Sequence, residues 1–133
     1  MKALKIMLFL LFAGILIRGN AQQKPASVEI IKDSVAVEVA DSTTYEILVF
    51  DVGFENWLAT NSRPKWYYEN DFYRTKNHQY TVTWNNLVRQ AMYRPPFEYE
   101  IEFDPKVDYG LDVNWKLYWY YKYLEHTLGI TLN

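Results

Sequence analysis

The sequence predicts one small domain of the α+β class, or small α/β, with two layers: a two- to three-stranded sheet packed by three to four helices. Short apolar or alternating runs, typical of strands, occur near residues 45 and 100, and stretches of helical periodicity follow each of them. Aromatic residues make up 18% of the chain. Because each large ring buries roughly 150–250 Å², a chain of this size can build a core without disulfides.

An export signal precedes the predicted domain. Residues 6–17 form an uncharged apolar run after a basic start. As a helix this run is about 18 Å long, which is shorter than the roughly 30 Å core of a bilayer but typical of a secretory signal peptide. Small residues predict cleavage after Ala21, so residues 1–21 are expected to be removed and the remainder to be periplasmic or secreted. Arg18, at the end of the run, leaves an uncleaved anchor as the alternative.

The composition excludes several classes of partner and cofactor. The chain has no cysteine, so neither disulfides nor a lipid anchor on cysteine is expected. Its net charge of −2 becomes more negative once the basic signal peptide is removed. An acidic domain is a poor match for nucleic acid, and no stable membrane insertion is expected after cleavage. With only two histidines and no glycine-rich loop, no metal and no cofactor are predicted.

The chain divides into a weakly patterned start and one globular domain. Residues 22–44 are predicted to be mostly a disordered tail or tether, although partial alternation in residues 34–39 also fits an edge strand. Residues 45–133 form the predicted domain, and residues 45–50 are its first strand, near-continuously apolar and hence buried. A short helix follows from Phe54, whose apolar partners recur three and four residues later.

Two helices, a strand and a final helix complete the predicted order. Residues 64–76 and 77–92 have helical periodicity, with a strand through residues 80–84 as the alternative for part of the second stretch. Asn77 fits the N-cap of that second helix. Residues 99–103 alternate cleanly and are predicted to lie parallel to the first strand. The last helix, 113–128, is closed by Gly129, and residues 130–132 could add a third strand.

The last helix has two apolar faces. One is an ordinary core stripe, formed by Val113, Leu117, Tyr120, Leu124 and Leu128. The opposite face carries Trp115, Trp119, Lys122 and His126. Two readings stay open: another helix covers the second face, as is usual for a helix that is apolar all round, or the face is an exposed binding patch for a protein or a glycan.

A cation–aromatic stretch is the second candidate binding surface. Residues 63–68 join Arg63 and Lys65 to three rings, the first of which is Trp66. Such a combination can stack on a glycan or hold an acidic partner through cation–π and ionic contacts. The alternative is a helix start whose cations lie over the core.

Two carboxylates are weak catalytic candidates. Asp51 and Asp104 each follow a phenylalanine at the end of a predicted strand. If those strands are parallel neighbours, both carboxylates lie at one sheet edge, where a pair can do acid–base work. The alternative, and the commoner use of aspartate at such positions, is capping of turns or helices. The spacing of Asp104, Asp108 and Asp112 only weakly resembles a calcium loop.

Several short motifs together resemble a known family. They are Phe54-Glu55-x-Trp57-Leu58, Arg63-Pro64-Lys65-Trp66-Tyr67-Tyr68, Trp84-Asn85, Tyr109-Gly110-Leu111-Asp112-Val113-Asn114 and Leu117-Tyr118. Over roughly residues 45–133 the chain resembles a domain-of-unknown-function family of short exported Bacteroidota proteins. The resemblance implies one domain and a bacterial envelope location, but no activity. Many such proteins look like lipoproteins, whereas this chain has no cysteine.

The sequence therefore leaves two hypotheses about function. The leading one is a non-catalytic envelope protein that binds another protein or a glycan through exposed aromatic surface. Its binding residues would be Arg63, Trp66, Trp115, Trp119, Lys122 and His126. The alternative is a small hydrolase that uses Asp51 and Asp104.

Overall fold

The structure, a computed structural model, describes residues 27–32 and 44–133; the predicted signal peptide and the alternating run of residues 34–39 lie outside this range. The order of elements is β1 (Val28–Lys32), β2 (Tyr45–Val49), α1 (Phe54–Asn61), a short 3₁₀-helix (Lys65–Tyr67), α2 (Asn70–Gln90) and α3 (Leu111–Leu128). The described residues form a small α+β fold with one two-stranded sheet and three α-helices. None of the helices in these ranges is long and apolar enough to cross a bilayer.

The sheet differs from the predicted one in its partner and its direction. β2 agrees with the strand predicted at residues 45–50, but it pairs with β1 in antiparallel orientation, with Val28 opposite Val49. β1 lies within residues 22–44, where the sequence favoured a tail. The prediction of a parallel strand at residues 99–103 is wrong, because in the described residues this segment belongs to no strand.

Residues 99–103 keep the side-chain alternation of a strand although they are not in the sheet. Ile101 is buried, Tyr99 and Phe103 pack against the core, and Glu102 is exposed. The reason is that α2 supplies the hydrogen bonds that a neighbouring strand would otherwise make. The indole of Trp84, on α2, donates to the Tyr99 carbonyl over 2.9 Å.

α2 is one helix where the sequence predicted two. Residues 65–67 form only the short 3₁₀-helix, and α2 then runs without a break through Asn77, the residue predicted to cap a second helix. The helical reading of residues 80–84 is correct. Asn77 is fully buried inside α2, because its amide finds a partner on α3 and does not need a helix end.

Polar side chains line the buried contact between α2 and α3. The Nδ2 of Asn77 donates to the Asn114 carbonyl, and the Nδ2 of Asn114 donates to Oδ1 of Asn70, each over 2.8 Å. Further along, the hydroxyls of Thr81 and Tyr121 are hydrogen-bonded. The donor groups of these side chains reach their acceptors only in one alignment of the two helices, so they fix how α2 and α3 pack. The Oδ1 atoms of Asn77 and Asn114 have no hydrogen-bond partner among the described residues.

α3 lies at the centre of the fold and contacts α1, α2, β2 and the 3₁₀-helix. It ends as predicted at Gly129, which has a left-handed backbone with φ of 63°. The N–H of Ile130 then donates to the Glu125 carbonyl over 3.2 Å, closing the last turn. The predicted third strand at residues 130–132 is absent from the described sheet, although Leu132 is buried.

Candidate functional site

Residues 63–68, which we call the cation–aromatic segment, connect α1 to α2. Pro64 has an extended backbone, with φ of −53° and ψ of 150°, which the pyrrolidine ring favours. The N–H of Tyr67 donates to the Pro64 carbonyl over 2.9 Å and closes the 3₁₀ turn. The segment therefore has a defined local conformation between the two helices.

Side chains from α2 and α3 hold the backbone of this segment in place. The indole Nε1 of Trp115 donates to the Arg63 carbonyl over 2.8 Å, and the Tyr73 hydroxyl donates to the Lys65 carbonyl over 3.3 Å. The Lys65 ammonium lies 2.8 Å from a carboxylate oxygen of Asp112. Sequence reasoning missed Tyr73, because an aromatic residue at helical spacing gives no sign of whether its hydroxyl reaches a neighbouring loop.

Trp66 points into solvent from this fixed backbone. It is 80% exposed, more than any other large aromatic residue of the described chain. Burial of a large apolar side chain stabilises a protein by roughly 1.5–3 kcal/mol, and an exposed tryptophan does not provide this stabilisation. A single exposed apolar side chain is ordinary on a protein surface; this one differs because the segment beneath it is anchored on both sides.

Cations accompany the rings of the segment. The guanidinium carbon of Arg63 lies 4.4 Å from the ring centre of Tyr67, which is itself 42% exposed. The Lys65 ammonium lies 5.5 Å from the Trp115 ring. Both distances suit cation–π attraction. Arg63 therefore places a positive charge on the exposed Tyr67 ring, whereas Lys65 lies over the half-buried Trp115 and is paired with Asp112.

A shallow cleft opens beside the segment, between β2 and the start of α3. Its volume is about 470 Å³. The residues that line it are Tyr45, Glu46, Ile47, Lys65, Asp112, Val113, Trp115 and Lys116. The cleft thus contains two carboxylates and two amines. Both amines are already in ion pairs, Lys65 with Asp112 over 2.8 Å and Lys116 with Glu55 over 2.7 Å.

Trp115 and Trp119, the pair on α3 for which the sequence left both a covered and an exposed face open, are both half-buried. Trp115 is engaged with the Arg63 carbonyl, and the Trp119 ring lies 6.2 Å from that of Trp57 on α1. His126 is exposed, with its ring 6.0 Å from Trp57. α1 and the segment that follows it therefore cover much of this face of α3. The indole nitrogens of Trp57 and Trp119 have no acceptor within the described residues.

Lys122 lies against aromatic rings and away from the cation–aromatic segment. Its ammonium is 5.0 Å from the ring centre of Tyr80 and 5.6 Å from that of Tyr118. Glu125 lies 3.3 Å away. Although burial by itself lowers the pKa of Lys122, the Tyr80 hydroxyl and the Glu125 carboxylate outweigh it and raise that pKa. The Lys122 ammonium thus makes its contacts within the protein itself.

Asp51 organises the turn between β2 and α1. Its Oδ1 accepts the Gly53 N–H over 3.3 Å and the Tyr123 hydroxyl over 2.9 Å, and its carbonyl accepts the Phe54 N–H. These are the contacts of an aspartate that shapes a helix entry. They correspond to the capping alternative for Asp51.

Asp104 likewise shapes its own turn. Its Oδ1 accepts the Lys106 N–H over 2.9 Å, and its N–H donates to the Tyr109 hydroxyl. Asp108 does the same for Gly110 over 3.1 Å. Residues 99–103 are not a neighbouring strand of β2, so Asp51 and Asp104 do not follow two strands of one sheet. In the described ranges no three histidine, aspartate or glutamate side chains are grouped so as to hold a metal ion.

A buried pair of tyrosine hydroxyls lies close to Asp51. Tyr99 and Tyr120 are hydrogen-bonded through their hydroxyls. Burial raises the pKa of Tyr99 to about 12 and raises that of Tyr120 further, and the nearby Asp51 carboxylate adds to both shifts. Both phenols are therefore neutral over the physiological range, which suits a structural role.

Of three comparisons with known proteins, the comparison with family profiles gives a match. A search of curated proteins and a search of solved structures each returned none. A family profile, described as a family of unknown function (DUF6146), matches residues 6–133, which is nearly the whole chain. The chain therefore belongs to the DUF6146 family.

Proposed function

We propose that this chain is a non-catalytic, exported protein of the bacterial cell envelope that binds another protein through the cation–aromatic segment. The observation that carries the proposal is the 80% exposure of Trp66 on a backbone that Trp115 and Tyr73 hold from two helices. A backbone fixed in this way loses little conformational entropy when a partner covers the ring that it carries, and such preorganisation favours binding.

The residue types favour a protein partner over a glycan. Tryptophan, tyrosine and arginine are the residues most enriched at the energetic centres of protein interfaces, and the segment presents Trp66, Tyr67 and Arg63 side by side. Arg63 and Lys65 fit a partner with an apolar pocket rimmed by carboxylates. The polar cleft beside the segment would suit sugar hydroxyls, so the experiment must distinguish a protein partner from a glycan.

The hydrolase alternative gains no support from the geometry. Asp51 and Asp104 are each hydrogen-bonded within their own turn. A catalytic pair would need a shared space for substrate, and neither residue lines the cleft beside the cation–aromatic segment.

The test is cross-linking in the native envelope with the full chain, comparing wild type with Trp66→Ala. Tyr93→Ala is the matched control, because Tyr93 is also an exposed aromatic, at 54%, but lies outside the segment. We expect a defined protein to be cross-linked by wild type and by Tyr93→Ala and lost with Trp66→Ala. All three proteins should unfold at the same urea concentration within error, since both side chains are exposed.

Other outcomes separate the alternatives. Retention of the partner by folded Trp66→Ala would remove the segment from the interface. Binding of purified envelope polysaccharide that depends on Trp66, without a cross-linked protein, would assign the surface to a glycan.

A further inference from the structure

The outer edge of β1 carries backbone groups that β2 does not use. The Phe50 N–H donates to the Ser27 carbonyl over 2.7 Å, and Ser27 continues the register in which Val28 faces Val49. In an antiparallel pair, alternate residues direct both backbone groups to the partner. Ser27, Glu29 and Ile31 therefore face β2, and the N–H and C=O groups of Val28 and Ile30 face away from it.

Residues 99–102 carry a second row of backbone groups, which α2 does not use. α2 takes both backbone groups of Ile101, through Asn85, and the carbonyl of Tyr99, through Trp84. In an extended chain the intervening residues point to the opposite side. The N–H and C=O groups of Glu100 and Glu102 therefore face away from α2.

These two rows of groups are the walls of one groove. Residues 27–31 line one side and Tyr99, Glu100 and Glu102 line the other, around a volume of about 420 Å³. Among the described residues, no backbone hydrogen bond crosses the groove. Each wall thus resembles a strand edge that lacks its neighbour, and an unpaired edge is a template for another chain.

We propose that this groove accepts one extended, basic segment of a partner protein as an added strand between β1 and residues 99–102. Backbone hydrogen bonds to both walls would supply affinity irrespective of sequence, as in other complexes formed by strand addition. The result would be a continuous array of β2, β1, the added strand and residues 99–102.

The negative charge of the groove walls favours a basic added strand. Glu29, Glu100 and Glu102 line the groove, and only Glu100 has a cation, Arg89, among the ion pairs of the described chain. Lysine or arginine at alternate positions would meet these carboxylates, with small apolar residues between them facing the core. This surface is separate from the cation–aromatic segment, so the inference does not depend on the proposed function.

The test titrates the full chain, labelled for NMR, with the peptide acetyl-Lys-Val-Lys-Val-Lys-Val-amide. We expect the amides of Val28, Ile30, Glu100 and Glu102 to shift, and their hydrogen exchange to slow by about tenfold or more at saturation. The control peptide has the same sequence with alternate backbone nitrogens methylated on one edge, so it keeps the charge but cannot bond both walls.

Two charge variants test the selectivity for basic peptide. Glu29→Lys places a like charge at the groove and should weaken binding by about tenfold at low salt. Glu69→Lys makes the same charge change at an exposed position outside the groove and should leave the affinity unchanged. Both side chains are exposed, so neither variant should lose its fold.

Three results would overturn the inference. The first is unshifted amides at saturating peptide, and the second is equal binding of the methylated control. The third is slow exchange of the four amides in the chain without peptide, which would show that a segment of the protein's own chain fills the groove.

Discussion

Asn85 holds Ile101 by both of its backbone groups. Its Oδ1 accepts the Ile101 N–H over 2.8 Å, and its Nδ2 donates to the Ile101 carbonyl over 2.9 Å. A carboxamide has the same donor and acceptor arrangement as a peptide group. One helix side chain therefore replaces the strand that Ile101, which is 2% exposed, would otherwise need for its hydrogen bonds.

Replacing Asn85 by alanine should lower the free energy of unfolding by about 2–4 kcal/mol, because two backbone groups of a buried residue lose their partners. Urea unfolding measures the change. Asn86→Ala is the matched control: Asn86 is exposed and, within the described ranges, its side chain has a single long hydrogen bond, 3.4 Å from Arg89, so its change should stay within about 0.5 kcal/mol. Equal effects of the two variants would contradict a specific role of Asn85.

The two hydrogen bonds between Asn85 and Ile101 explain why the sequence predicts a strand at residues 99–103 although this segment is not in the sheet. The alternation of residues 99–103 correctly indicates an extended segment with Ile101 inward, but alternation reports burial and not the hydrogen-bonding partner. Nothing in the sequence around Asn85 indicates that its side-chain amide takes the place of a neighbouring strand. Conversely, β1 is only five residues long and its sequence, Val-Glu-Ile-Ile-Lys, alternates only in part, so it gave no strong signal.

The sequence predicts the presence of the helices better than the residues at which they begin and end or the elements that pack against them. Gly129 marked the end of α3 correctly, because a left-handed backbone at a helix end is a local property of glycine. Asn77 suggested a helix start that does not exist, since only the packing of α3 gives its amide a partner. For the candidate site, composition identified residues 63–68, but their anchoring by Trp115 and Tyr73 depends on contacts between distant parts of the chain.

Met92 does at the end of α2 what Gly129 does at the end of α3. The N–H groups of Met92 and Tyr93 donate to the carbonyls of Arg89 and Val88, both over 3.0 Å, which is the usual closing pattern of a helix with a left-handed residue. Met92 and Tyr93 both have positive φ, 56° and 57°. A side chain in this conformation costs about 1–2 kcal/mol.

Met92→Gly should therefore stabilise the protein by about 0.5–1 kcal/mol, after allowance for the greater freedom of glycine in the unfolded chain. Met92 is 70% exposed, so little packing is lost. Gly129→Ala should destabilise it by about 0.5–1 kcal/mol, which is the backbone strain less the same allowance for the unfolded chain. Apart from the two neighbouring residues, no atom of the described chain lies within 4 Å of the added Cβ, so no steric clash adds to this cost. Urea unfolding of both variants should give changes of opposite sign, and a loss of stability in Met92→Gly would contradict the strain argument.

Gly53 is required for a different reason, the closeness of Tyr123. A Cβ on Gly53 would lie 2.7 Å from the Tyr123 hydroxyl oxygen, which is held by Asp51 over 2.9 Å. Gly53→Ala should therefore cost about 1–2 kcal/mol. In the Tyr123→Phe background the obstructing atom is gone, so the same substitution should cost much less.

A double-mutant cycle over these two positions gives the coupling free energy directly. We expect at least about 0.5 kcal/mol, the lower limit for residues in contact. Additive effects would mean that Gly53 is needed for its backbone and not for the space beside Tyr123.

Alkaline pH should unfold the protein through its buried phenols. Burial raises the pKa of Tyr99 from 10.0 to about 12, so above pH 10 the unfolded chain loses the proton that the folded chain retains. A raised folded-state pKa of this kind gives stability that is complete below pH 10 and is lost as the pH rises toward 12. At about 1.4 kcal/mol per pKa unit, Tyr99 alone should account for a loss of about 2–3 kcal/mol.

Urea unfolding at a series of pH values should thus show constant stability up to about pH 9 and a steep fall above pH 10. Tyr99→Phe is the control, because it cannot ionise and should make that fall shallower even though its stability at neutral pH is lower. The ultraviolet absorbance of phenolate, followed in the same samples, should appear together with unfolding for the buried tyrosines. If stability stayed level through pH 11, the hydroxyl pair of Tyr99 and Tyr120 would have to be accessible to solvent in the folded protein. If Tyr99→Phe fell as steeply as wild type, the loss would come from the other buried tyrosines, and Tyr99 would not contribute to it.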